Sequence, residues 1–379
     1  MDPVVSAVNN VLASAIKRGA SDIHFEPLED GLRVRYRVDG VLCDQQPLPV
    51  VSMAQVIARI KVLAHIDLAQ TRIPQDGKFQ WEGIDLRVST FPSVYGEKVV
   101  IRILDRSRTN IRLDQLGCSP LVLELLQDLV QRSQGFILVT GPTGSGKTTT
   151  LYAALSHVHA PEKNIITLED PVEYHLDGIT QGHIRPDSGF SFAQGIRALL
   201  RQDPDIAMIG EMRDPESARV AIEAALTGHL VLSTMHTNDA PGAIMRLMDM
   251  GIEPFLINAA LTGVLAQRLV RTICIGCREA VAPTPEQETL LDERGIKLNQ
   301  LYRGAGCTAC DYLGYKGRIG IFELLVVTND LRRIIAERPH FDELYAQALQ
   351  DGMISLMGDG LHKVQAGLVS LDELLAAVS

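Results

Sequence analysis

At 379 residues, 46% hydrophobic and 22% charged, the chain has the composition of a folded globular protein with room for about two or three cores. A formal charge of −10 and a pI near 5.5 argue against a general nucleic-acid binder, whose phosphate contacts need a basic surface. No apolar run approaches the ~18 residues of a membrane span, and MDPVVSAVNN lacks the basic and apolar regions of a secretory leader, so a cytoplasmic chain is expected.

In chain order, Val4, Val8, Val11, Leu12, Ala15 and Ile16 share one helical face, which predicts an amphipathic opening helix over residues 3–18. Leu32 to Val38 then alternates apolar side chains with Arg33, Arg35 and Arg37. That pattern predicts a strand whose arginine face is a solvated sheet surface, closed by a hairpin turn at Asp39-Gly40. Met53 to Leu68 returns to helical spacing, and RIPQDGKF reads as a turn-rich connector. IDLRVSTF and EKVVIRIL read as two strands around Arg87 and Arg102. An arginine inside apolar strand sequence most simply pairs with a carboxylate of the same sheet, a catalytic role being the alternative. This region, ending near Asp105, predicts a small α+β domain, and the polar RSRTNIRLDQLG predicts a linker.

From Leu121 the pattern becomes helices alternating with short apolar runs, FILVTG, NIITLED, DIAMIGE and HLVLSTMHT. Such runs signal a parallel sheet covered on both faces, with ligands at the carboxyl ends of its strands. The first run leads into Gly141, Pro142, Thr143, Gly144, Ser145, Gly146, Lys147, Thr148 and Thr149, which fill G-x-x-x-x-G-K-[ST]. Glycines let successive N–H groups converge on phosphate at a helix N-terminus, Lys147 reaches the β/γ-phosphates, and the Thr148 hydroxyl can hold Mg²⁺. A purely structural glycine turn is the competing reading.

Glu169, Asp170 and Glu173 follow the apolar NIIT of the second run, as hydrolysis needs for a magnesium shell and an attacking water; a dipole-favoured helix start is the alternative. DPDIAMIGEMRD departs from the common metal-binding strand by ending in Gly210-Glu211, which leaves Glu211 to bind the metal shell or polarise water. The residues alone do not divide these roles between Glu211 and the earlier carboxylates. His236, at a strand end beside Thr234 and Thr237, could sense the γ-phosphate, whereas His229 reads as structural. Arg197 and Arg201 lie on one helical face before the Glu211 strand, suited either to phosphoryl charge or to a salt-bridged surface.

Of the six cysteines, Cys43 and Cys118 stand alone. Cys274-x-x-Cys277 and Cys307-x-x-Cys310, with residues 278 to 306 between them, match a closed tetrahedral zinc site with a partly helical excursion between the knuckles. A redox CxxC lacks its usual βαβ context. The tail after Arg318 reads as mostly amphipathic helix.

Together GASDIHFEP, RVDGVL, RIPQDGK, VSTFPSVYGEKVV, GPTGSGKTTTLY, TLEDPVEY, LRQDPDIAMIGEMRD, LTGHLVLSTMHTNDA, GIEPFL, LAQRLVRTICIGC and GYKGRIGIFELL run through nearly the whole chain. In this order they resemble the type II secretion assembly ATPases, within the wider secretion and type IV pilus ATPase family. The resemblance implies an α/β fold in five parts. These are a PAS-like α+β domain (1–105), a linker (106–120), a RecA-like P-loop core (121–270), a zinc insertion (271–315) and a C-terminal helical domain (316–379).

It further implies a Walker A box at Gly141 to Thr148, an Asp box around Glu169 to Glu173, a Walker B box ending at Glu211 and a His box from Thr227 to His236. Arg87, Arg102, Arg197, Arg201, Arg246 and Arg318 would approach the nucleotide as the domains move. ATP, Mg²⁺ and Zn²⁺ follow as ligands, and the expected assembly is a homohexamer. Its expected partners are an inner-membrane secretion platform and a docking protein with a cytoplasmic domain, with no nucleic acid. The cysteine insertion favours the secretion and pilus-extension branches over pilus retraction. Because the family usually carries a further N-terminal domain, the resemblance implies that the first region here corresponds to the second of its N-terminal domains. Rival readings are a pilus-extension ATPase, a nucleotide-binding scaffold with little hydrolysis and, more distantly, a nucleic-acid motor.

Overall fold

In the computed structural model, which describes residues 2–46, 52–104, 111–185 and 189–378, the chain divides into two units, Met1–Thr109 and Asn110–Ser379. The first begins with α1 (Pro3–Lys17), capped by the Asp2 carboxylate with Pro3 in the first turn. There follow β1 (Asp22–Leu28), β2 (Gly31–Val38), β3 (Val41–Asp44), α2 (Met53–Leu63), β4 (Gln75–Trp81), β5 (Ile84–Ser93) and β6 (Gly96–Leu104). The expected RIPQDGKF connector is therefore half strand, because Gln75 to Trp81 pairs antiparallel with Ile84 to Thr90.

The six strands form an antiparallel sheet in the order β3-β2-β1-β6-β5-β4. Val8, Leu12, Val56 and Ile60 of the helices pack on Ile23, Phe25, Val34, Tyr36, Leu86, Val88, Val99 and Ile101 of one sheet face. The other face is charged, and its arginines are not simply solvated. Arg33, Arg35 and Lys98 converge on Glu26 at 2.9, 2.8 and 2.9 Å.

The larger unit carries α3 (Pro120–Val130), β7 (Gly135–Thr140), α4 (Lys147–Val158), β8 (Ile165–Glu169), β9 (Thr180–His183), α5 (Phe192–Leu199), β10 (Ile206–Ile209), α6 (Pro215–Leu226), β11 (Leu230–Met235), α7 (Ala240–Asp249), α8 (Pro254–Ala260) and β12 (Leu261–Ile273). It continues through β13 (Arg278–Val281), α9 (Pro285–Glu293), β14 (Leu301–Gly304), β15 (Tyr315–Val326), α10 (Asn329–Ala336), α11 (Phe341–Gln350), α12 (Leu356–Gln365) and α13 (Leu371–Val378). The sheet order is β15-β12-β7-β11-β10-β8-β9, parallel except for β15.

Continuous apolar runs fit this sheet because both faces are covered: Phe136 and Leu138 of β7 enter one core, Ile137 and Val139 the other. Part of the expected linker, 106–110, lies outside the described residues, and by Ser119 the chain is already capping α3. The tail is not wholly helical. Tyr315 to Val326 joins the core sheet as an edge strand, where Glu323 accepts the N–H groups of Ala240 (2.7 Å) and Leu356 (3.2 Å) that open α7 and α12. No helix among the described residues is long and apolar enough to cross a membrane.

Candidate active site

The turn between β7 and α4 is shaped for phosphate. At Gly141 a Cβ would lie 2.5 Å from the Gln267 carbonyl and 2.7 Å from Ser145 Oγ, so the chain closes only on glycine. Gly146 caps α4 in the left-handed region at φ 87°, turning the first amides of the helix toward the loop. Lys147 opens α4 and folds back, its Nζ donating to the carbonyls of Gly141 (2.8 Å) and Pro142 (3.0 Å). Burial holds its ammonium below the ordinary lysine range; the Glu211 carboxylate opposes that shift and the Arg268 guanidinium adds to it. Thr148, the second residue of α4, is half-buried.

From β12, Gln267 supports this loop at two points. Its Nε2 donates to the Ser145 carbonyl (2.6 Å), and its Oε1 accepts from Thr150 Oγ1 (2.7 Å). The next residue, Arg268, donates to the Asn238 carbonyl at 2.7 Å. Neither was singled out in the sequence, although LAQRLVRTICIGC contains both; nothing local in that run tells a loop support from an interior strand glutamine.

Glu211 follows β10 on the segment that Gly210 and Met212 tie down through Leu168 (2.8 Å) and Thr234 (3.0 Å). Its carboxylate pairs with the exposed Arg213, another residue the sequence did not flag, and lies 3.7 Å from His236 Nε2 beyond the end of β11. Thr140 and Thr237 join their hydroxyls at 2.7 Å, so the β7 and β11 ends are linked beside the phosphate loop. His229, at the other end of β11, has its Nδ1 2.9 Å from the Ala224 carbonyl.

The expected carboxylate cluster divides. Glu169 is buried at 3% exposure and receives hydrogen bonds from Tyr152 Oη, from Thr167 Oγ1 at 2.5 Å and from Gln181 Nε2 at 3.2 Å. Burial raises its carboxyl above the usual range, against those donors. Asp170 is exposed, and Glu173 is partly so.

The six arginines separate further. Arg197 pairs with Glu216 at 2.8 Å and Arg201 donates to the Arg197 carbonyl at 2.7 Å, so their recorded bonds are those of a helix surface. Arg246 is exposed on α7, and Arg318 lies opposite Arg271 in the β12–β15 register. In the first unit, Arg87 and Arg102 are directly opposite on β5 and β6, and Arg102 also meets Asp22 at 3.1 Å. Together with Lys78, these residues line a cleft of about 600 Å³.

The four cysteines do converge. Cys274–Cys307, Cys277–Cys310 and Cys307–Cys310 Sγ atoms lie 3.9, 3.8 and 3.8 Å apart. With Zn–S near 2.3 Å, the edge of a sulfur tetrahedron is about 3.8 Å. Backbone N–H groups of Gly306, Cys307 and Gly314 donate to these sulfurs at 3.3 Å, which favours thiolates, so the donor set fits a divalent metal. The excursion between the pairs is the β13–α9–β14 hairpin.

The family model described as "Type II/IV secretion system protein" matches residues 1–376. The type II secretion system ATPase E of Vibrio cholerae is 46% identical over 377 residues, covering 98% of this chain and 75% of that one. The type IV pilus assembly ATPase PilB of Thermus thermophilus is also 46% identical, covering 97% of this chain and 42% of its own length. Among solved structures, the pilus retraction motor PilT with bound ADP superposes with a TM-score of 0.69 at 27% identity, covering 97% of this chain and 96% of that one.

Proposed function

Because the chain belongs to the type II/IV secretion system protein family, we propose that it is the ATP-hydrolysing motor of a type II secretion system, coupling turnover to assembly of an export pseudopilus. The observation that carries this reading is the loop from Gly141 to Lys147, closed against Gln267 of β12, with Glu211 and His236 meeting at the ends of β10 and β11 in the same sheet. Lys147 exchanges two backbone carbonyls for phosphate oxygens, and the first amides of α4 add their partial positive charge. Thr148 would hold Mg²⁺, which neutralises charge on the phosphates when bound. Glu211 orients and polarises the water, and His236 steadies that carboxylate from the next strand.

The homohexamer, the approach of Arg87, Arg102, Arg197, Arg201, Arg246 and Arg318 to nucleotide, and zinc at the four cysteines belong to the same reading. So does docking on the cytoplasmic face of an inner membrane through a secretion platform. The domain limits 1–105, 106–120, 121–270, 271–315 and 316–379 are proposed with it, β15 extending the core sheet from the last of them. A pilus-extension motor is the second reading, favoured by equal identity to PilB. Phosphate release by assembled rings tests the chemistry: wild type should exceed Lys147→Ala at least tenfold, and equal background rates would leave a nucleotide-binding scaffold. Complementation of strains lacking each ATPase then separates export from pilus growth.

A further inference from the structure

Glu169 ends β8 with both carboxylate oxygens engaged. Oε2 accepts from Tyr152, a residue of the second turn of the phosphate-loop helix, and Oε1 accepts from Thr167 at 2.5 Å and Gln181 at 3.2 Å. All three donors are neutral. Gln181, on β9, also donates to the Tyr174 carbonyl (3.1 Å) and accepts the Leu176 N–H (2.8 Å), while the Tyr174 ring stands edge-on to Tyr152 at 4.6 Å. The Glu169 carbonyl meanwhile accepts the Ile184 N–H at 2.8 Å. One buried carboxylate therefore joins α4, the end of β8, β9 and the loop that carries Asp170 and Glu173.

We infer that Glu169 is a positioning residue that locks the Asp170–Glu173 loop to the phosphate-loop helix through Tyr152 and Gln181. The assignment rests on the hydrolytic reading above and sets Glu169 apart from its other acidic residues. With Oε1 taken by two neutral donors, Oε2 turned to Tyr152 and the side chain enclosed at 3% exposure, this carboxylate is poorly placed to join a hydrated magnesium shell. Glu211, 3.7 Å from His236, the exposed Asp170 and the half-buried Glu173 are the less enclosed acidic groups left to meet magnesium or water. The value of the network lies in transmission: a displacement of α4 when Lys147 turns to phosphate is carried by Tyr152 to the loop bearing Asp170 and Glu173.

The test is a steady-state comparison on assembled full-length rings of wild type, Lys147→Ala, Glu211→Gln, Glu169→Gln, Tyr152→Phe and the Tyr152→Phe/Glu169→Gln double variant, with circular dichroism to verify folding. Glu169→Gln and Tyr152→Phe should each lower kcat by about three- to tenfold with KM within about twofold. The double variant should be no worse than the poorer single, as expected of one shared network. Glu211→Gln should lose more than a hundredfold. Glu169→Gln as inactive as Glu211→Gln, with Tyr152→Phe as fast as wild type, would make Glu169 catalytic and overturn the assignment, as would additive losses. Equal background rates for wild type and Lys147→Ala would instead remove the hydrolytic reading, and the assignment with it.

Discussion

Glu211 and His236 meet across neighbouring strand ends, with His236 Nε2 3.7 Å from the carboxylate, while Arg213 holds the other oxygen. A carboxylate held from two sides is oriented without being buried. For Glu211→Gln, kcat for phosphate release should fall about 10²–10⁴-fold while calorimetric affinity for Mg·ATP stays within about threefold. His236→Ala should cost less, about tenfold, because it removes the orientation and keeps the base. A variant His236→Ala more damaged than Glu211→Gln would reverse the two roles.

Gln267 offers a test of loop geometry without touching the chemistry. Gln267→Leu keeps the volume but leaves the Ser145 carbonyl and Thr150 hydroxyl without their partner on β12, a loss of about 1–3 kcal/mol. The loop should loosen, raising KM for Mg·ATP about tenfold with a smaller change in kcat. An unaltered KM would show that the loop is shaped by its own glycines alone.

Acid should weaken the first unit through Glu26. Burial pushes its carboxyl up, but hydrogen bonds from Arg35, Lys98 and Arg33 overcome this and hold it down to about 2. A folded pKa below the ordinary glutamate value means that the contribution is complete above about 4.5 and drains away as pH falls toward 2. Allowing for the partly exposed Arg33, it is worth on the order of 2 kcal/mol. Trp81, the one tryptophan in the sequence, sits on β4 of this unit and reports its unfolding. Urea midpoints from its fluorescence should drop between pH 5 and 3 in wild type, whereas Glu26→Gln should start lower and change less.

Metal analysis of protein purified without chelator should find about one zinc per chain, and Cys274→Ser should lose it. Cobalt substitution should give the absorption of a tetrahedral thiolate site. Protein with less than about 0.2 zinc per chain that also fails to bind cobalt would eliminate the metal.

Much of this was legible in the sequence because each signal was local. The Gly141–Thr149 run, the alternation around Arg35 and the two CxxC pairs each carry their meaning within a few residues, and the strands, the turn and the cysteine cluster all form. What escaped depends on partners remote in sequence. Gln267 gains its role from a loop more than a hundred positions upstream, and Glu26 becomes the hub of an arginine face only once β1 lies beside β2 and β6. Glu169 could be read as acidic but not as enclosed, since Tyr152 and Gln181 approach it from other elements. The part of β15 after Arg318 reads as helical tail because its continuously buried run from Gly320 to Leu325 has no alternation to betray a strand.

The register of β12 with β15 separates pairing from packing. Ile273 and Tyr315 are paired rungs, so the whole cysteine-bearing segment leaves and re-enters the sheet at one place. From Gly263–Val326 to Arg271–Arg318, the ladder beneath it is continuous and needs nothing from the excursion to set its pairing. A short turn in place of residues 274–314 would keep that register, but it would take the buried Leu291 and Leu301 out of the main core and free Arg278 from the Gly367 carbonyl, so the appendage is dispensable for pairing and not for packing.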